Sequence, residues 1–273
     1  MYISNAIRPL WGFLVVALSA MAPAPIAMAQ TNPPADTMST ADDTVAAHTR
    51  TSAGNGALLM LAQSPTLRAQ QGTAFGLAGY DSAAGTALFE AITEVHIWGP
   101  FSVRGGAVYT NSGQRLRPTV GARAQVLNAA AHGVDGAVGV FYRPEGLTEP
   151  EGEIEGVASI GRRVGAAYLI GNLAYGQDPE GNERDAEVRV AGIVPVGERL
   201  VLGLDSRVRV DLGSSSARLA TTGEPAFDLL AGLASSIFVG PVAILVQAGP
   251  SARKVAGVSS YGVFAMAGVG AAF

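Results

Sequence analysis

The chain has 273 residues, 48% of them hydrophobic and only 15% charged, with a net charge of −4 and a mean hydropathy of +0.29. This balance lacks the basic footprint expected of a nucleic-acid partner, and the absence of cysteine excludes disulfides, thiol catalysis, thiolate metal ligands and a lipidated cysteine. Beyond the N-terminus no stretch reaches the roughly 18 apolar residues of a membrane helix. High apolarity without such helices implies a large soluble core or a β-barrel whose apolar face meets lipid.

Residues 1–29 read as a secretory signal peptide, with Arg8 as the basic region, Leu10 to Met21 as the apolar region, and Ala27-Met28-Ala29 as a small-residue cleavage site before Gln30. Residues 30–55, rich in Thr, Ser, Ala, Asp and Pro, show no apolar periodicity and are expected to form a disordered periplasmic linker. Residues 56–71 carry the run Leu58, Leu59, Met60, Leu61 but are interrupted by Pro65. That run is too short for a stable free helix and is expected to be a short docking segment.

From residue 72 the hydrophobic period is two, the period at which successive side chains of a strand take opposite faces. In LVLGLDSRVRVDLG, Leu202, Leu204, Val208, Val210 and Leu212 share one face, and Asp205, Arg207, Arg209 and Asp211 share the other. With Gly, Asn, Asp and Pro clusters as punctuation, strands are expected near 73–81, 87–98, 101–110, 117–127, 133–143, 153–161, 165–176, 185–195, 200–212, 226–238, 241–249 and 261–273. Odd-numbered connections are longer and polar (YDSAAG, TNSGQRL, RPEGLTEPEGE, GQDPEGNERD, GSSSARLATTGEP, GPSARKVAGVSS), while even-numbered ones are mostly brief, as in a membrane barrel.

The export signal, the lack of spanning helices, the alternating strands and a last segment, YGVFAMAGVGAAF, that ends in Phe273 together resemble the bacterial outer-membrane β-barrel class. The resemblance implies residues 72–273 as an all-β, antiparallel transmembrane barrel of about 12 strands, or ten if the first or sixth segment fails. It further implies an outer-membrane location in contact with lipid and lipopolysaccharide. Phe273 would be the signal read by the barrel-assembly machinery, although Ala271 stands where a bulkier residue is usual.

If the apolar face meets lipid, Tyr80, Tyr109, Tyr142 and Tyr175 fall at the long-loop ends of their strands as an aromatic girdle. The opposite face lines the lumen with Glu90, Glu94, His96, Arg104, Arg117, Arg123, Gln125, Asp135, Arg143, Glu155, Glu187, Arg189, Asp205, Arg207, Arg209, Asp211 and Asp228, signs interleaved so that they neutralise one another. Strands 10–12 instead offer Leu230, Ala234, Ala243, Leu245, Phe264 and Met266, so one wall of the lumen is expected to be apolar. Twelve strands lie between filled eight-stranded barrels and aqueous 16-stranded porins, which favours a narrow or occluded lumen.

No zinc-protease, nucleophile-elbow or phosphate-loop motif is present, and neither a cofactor nor catalysis is expected. His96 with Glu94 is the one acid–base pairing worth weighing. Glu145, Glu149, Glu151, Glu153 and Glu155, and Asp178, Glu180, Glu183, Asp185 and Glu187, form two acidic loops that could bridge divalent cations to lipopolysaccharide, against the default of a solvated surface. The leading role is a structural or narrow-channel barrel for small solutes or ions. A binding or adhesion barrel acting through the acidic loops and a membrane enzyme are the alternatives.

Overall fold

The computed structural model describes residues 59–66, 72–111, 115–144, 152–177, 184–213 and 225–273. The expected signal peptide and linker lie outside these residues. Twelve strands form: β1 (Gly72–Asp81), β2 (Thr86–Trp98), β3 (Phe101–Thr110), β4 (Arg115–Leu127), β5 (Asp135–Pro144), β6 (Gly152–Val164), β7 (Ala167–Gln177), β8 (Arg184–Val196), β9 (Leu200–Asp211), β10 (Pro225–Val239), β11 (Val242–Val255) and β12 (Val258–Ala272). Each pairs antiparallel with the next, and β1 pairs with β12 from Thr73↔Ala272 to Asp81↔Phe264, so the sheet is a closed barrel. Closure matters physically because it leaves no strand edge with unpaired backbone groups.

The alternation in the sequence becomes an inside and an outside. On β8, Val188 and Val190 are exposed while Glu187 and Arg189 are buried; on β9, Leu202 and Leu204 are exposed while Asp205, Arg207 and Arg209 are buried. Apolar outside and charged inside is the reverse of a soluble protein and fits a barrel solvated by hydrocarbon. Tyr80 and Tyr175 are exposed at the long-loop ends of β1 and β7, with Tyr261 at the same end of β12. At the opposite end Trp98 and Phe101 are exposed and stacked, ring centroids 5.8 Å apart, so aromatic rings mark both rims of the apolar band.

Three connections differ from the sequence expectation. The stretch 250–260 is not a long loop: β11 continues through Pro250 to Val255, and the hairpin turns on Ala256 and Gly257, with φ of 49° and 84°. Positive φ at both central residues is what a tight turn matching the strand twist requires. The β1–β2 connection is only the turn 82–85, set by Asp81 Oδ1 accepting the Ala83 N–H at 3.0 Å. The even connection after β4 holds one helical turn, α1 (Ala129–His132), with Asn128 as N-cap and Gly133 in the left-handed conformation as its stop.

Candidate functional site

The closed ring encloses a lumen, and among the described residues its walls carry charged clusters on β6–β10 and on β2–β4. In the β8–β9 ladder Glu187 faces Arg209, but Arg189 faces Arg207 and Asp185 faces Asp211. Neutralisation across β8 and β9 does occur, but on the diagonal, with Arg209 on Asp185 and Arg207 3.7 Å from Glu187, and it extends to further strands. Arg189 donates to Glu155 on β6 at 2.8 Å and also to Glu187; Arg207 donates to Asp228 on β10 at 2.7 Å; Arg209 donates to Asp185 at 2.7 Å. Every one of these side chains is under a tenth exposed. Asp211 lies on the same face, half-buried.

Glu155 and Glu187, expected both on the lumen face and in the acidic loops, and Asp185, expected on a loop, belong to the lumen network. Glu153, also expected on such a loop, is buried on β6. Residues 145–151 and 178–183 lie outside the described residues.

The second cluster sits on β2–β4. Glu94 accepts from Ser102 Oγ at 2.6 Å, Arg104 Nη2 at 3.0 Å and Arg123 Nε at 2.6 Å, and the Arg104 guanidinium lies over the Phe141 ring at 5.0 Å. With Glu94 engaged this way and His96 Nε2 at 2.8 Å from the Gly99 carbonyl, the acid–base pairing weighed from sequence is not assembled. Glu90, Arg117 and Gln125 are half-buried on the inward face of β2 and β4. Asp135 is fixed near the short-turn end by the Tyr168 hydroxyl at 3.0 Å and the Ala129 N–H at 2.9 Å.

The Asp205 carboxylate directs its hydrogen bonds elsewhere, although the charge of Arg189 acts on it. Its two oxygens accept the backbone N–H groups of Leu61 and Ala62, at 2.9 and 3.1 Å, because residues 59–66 sit inside the barrel. Asn172 on β7 clasps the next residue both ways, Oδ1 accepting the Gln63 N–H at 2.7 Å and Nδ2 donating to the Gln63 carbonyl at 2.8 Å. Arg123 on β4 donates to the Ser64 carbonyl. A Cβ on Gly161 would stand 2.8 Å from Pro65 Cγ, so the glycine leaves the room that the proline occupies.

The apolar side chains of the segment fill the rest of the width. Leu59 packs with Tyr168, Ile170, Ala191, Ile193 and Val201 on β7–β9, while Leu61 packs with Leu77, Leu88 and Val108 on β1–β3 and with Leu230, Phe264 and Met266. Met60 meets Ala243 and Leu245. In a ring of twelve strands β8 lies opposite β2, so the segment crosses the lumen from wall to wall. Burying each leucine stabilises this arrangement by about 1.5–3 kcal/mol. The apolar wall expected on β10–β12 is thus a seat for this segment. Sequence reasoning named neither Asn172 nor the place where 59–66 docks. The one available signal was the apolar run at 58–61, outside any strand.

No family model matches the sequence, and no curated protein does. Among solved structures the chain resembles the NanC porin, with a TM-score of 0.52 and 9% identity over 72% of this chain and 98% of that one. It also resembles the KdgM porin, with a TM-score of 0.52 and 7% identity over 74% of this chain and 99% of that one. At such identities the likeness is one of fold, and this chain has the closed antiparallel barrel of the bacterial outer-membrane porins.

Proposed function

We propose that this protein is a narrow outer-membrane channel whose lumen residues 59–66 hold closed at rest, with the short-turn end facing the periplasm. The observation that carries the reading is the seating of that segment on three walls at once, through Asp205, Asn172 and Arg123. These contacts pair the N–H groups of Leu61, Ala62 and Gln63 and the carbonyls of Gln63 and Ser64 inside the barrel, which favours a stable closed state. Passage of small solutes or ions then requires the segment to leave. The lumen arginines and carboxylates, Arg104, Arg117, Arg123, Arg189, Arg207 and Arg209 with Glu90, Glu94, Asp135, Glu187, Asp205 and Asp211, are proposed to line the path.

Planar-bilayer recording of the full chain and of Leu61→Asp tests this. A carboxylate among Leu77, Leu88, Val108 and Phe264 is strongly disfavoured, so the variant segment stays out of the lumen. The wild type should be silent or open only in brief events, and Leu61→Asp should give stable steps. A folded Leu61→Asp barrel with no conductance would instead support a purely structural barrel.

A further inference from the structure

We infer that the seat of residues 59–66 is a binding site for short peptides whose first residue is apolar, and that such peptides are the solute class the channel recognises; the second half rests on the channel reading above. The hydrogen bonds of the seat read main chain rather than side-chain identity. Asp205 takes two consecutive N–H groups, Asn172 takes both the N–H and the C=O of one residue, and Arg123 takes a C=O, all in order along Leu61, Ala62, Gln63 and Ser64. A carboxylate therefore waits at the N-terminal end of a four-residue stretch and a guanidinium at its C-terminal end.

A free tetrapeptide carries the complementary charges at those two places. Its ammonium would replace the Leu61 N–H beside Asp205 Oδ2, now at 2.9 Å, and its carboxylate would replace the Ser64 carbonyl beside Arg123. Both neutral hydrogen bonds become charge-assisted, the stronger kind. Asp205 directs its carboxylate hydrogen bonds to the occupant of the seat, whereas those of Asp185 and Asp228 go to arginines; Arg189 acts on Asp205 only through its charge. The first residue of the occupant enters the pocket of Leu77, Leu88, Val108, Leu230, Phe264 and Met266, which selects a branched apolar side chain. The resident segment acts as a tethered stand-in for the solute.

The test uses full-length Leu61→Asp, and Ala62→Pro, which removes an N–H that Asp205 binds, in case the first variant does not assemble. Titration calorimetry in detergent with the tetrapeptide Leu-Ala-Gln-Ser reads the seat whether or not the barrel conducts. The free peptide should bind, and its N-acetylated, C-amidated form should bind about tenfold more weakly, the difference between charged and neutral hydrogen bonds. Adding Asp205→Asn should remove most of that preference, and Asp-Ala-Gln-Ser should bind worse than Leu-Ala-Gln-Ser. Equal binding of free and capped peptides, or no binding to either variant, overturns the inference. Conductance without peptide binding would leave the channel reading standing and this one fallen; peptide binding by a barrel that never conducts would do the reverse for the channel, keeping the seat but removing its link to transport.

Discussion

Arg189 and Arg207 stand directly opposite each other across β8 and β9, two guanidiniums held by carboxylates from three strands: Glu155 on β6, Glu187 on β8 and Asp228 on β10. Arg189 bonds both Glu155 and Glu187, each about 1% exposed, and Arg207 lies 3.7 Å from Glu187. Arg189→Leu should therefore destabilise the barrel by roughly 3–5 kcal/mol, the cost of leaving buried charge uncompensated. Urea unfolding in detergent measures it, and adding Glu155→Gln should recover part of the loss. A change near zero would mean that the two carboxylates hold their charge without this arginine.

On the outer face, Leu204 is 63% exposed near the middle of β9. Leu204→Arg should cost roughly 2–4 kcal/mol if it lies near the bilayer midplane. Folding measured in lipids of increasing chain length should show this penalty growing, while that of Arg189→Leu stays constant. The opposite pattern would mean that the faces have been assigned inside out.

Gly161 and Pro65 share one space at the base of the lumen. Gly161→Val should push Pro65 and Tyr168 aside and loosen the segment without touching the bonds to Asp205. Limited proteolysis near residues 59–66 should then speed up several-fold while heat-modifiable gel mobility, the mark of an intact barrel, is retained. Unchanged proteolysis would show that the proline is not needed to hold the segment.

Phe273 closes the ring by exchanging backbone hydrogen bonds with Gly72, 2.8 and 2.9 Å, while its side chain is largely exposed on the outer face. Deleting it should lower the assembled, heat-modifiable fraction while leaving export intact. If it acts as an assembly signal, Phe273→Ala, which keeps the backbone pairing, should also impair assembly in cells but not refolding in detergent. Equal assembly of Phe273→Ala and wild type would confine its role to the backbone.

All twelve strands were legible because a two-residue period survives wherever one face meets lipid and the other a filled lumen. The far end of β11 was not, since Pro250 reads as a stop. In the barrel its missing N–H only interrupts the ladder with β10, between Leu233↔Ala248 and Leu230↔Ser251, and its ring faces outward. The inward charges were legible residue by residue, but their partners were not. Whether Arg189 meets Asp205 or Arg207 depends on the register that the turn at 197–199 sets, and the turn residues alone did not specify it. The occupant of the lumen was least visible, because Leu61 and Asp205 are brought together across 144 residues of chain by a ring that must close first.

The seated segment is joined to β1 by only five residues, 67–71, between Thr66 and Gly72. A link of that length reaches at most about 20 Å fully extended, so residues 59–66, once out, remain anchored at the mouth where β1 begins. Short tethers of this kind present a local concentration in the millimolar range. A free competitor of equal intrinsic affinity must match that figure before it holds the seat for half the time, and one whose charged termini bind about tenfold better needs about a tenth of it. Sensitivity to an external ligand is thus fixed by the length of those five residues as well as by the contacts in the lumen, and lengthening them would lower the threshold without altering the barrel.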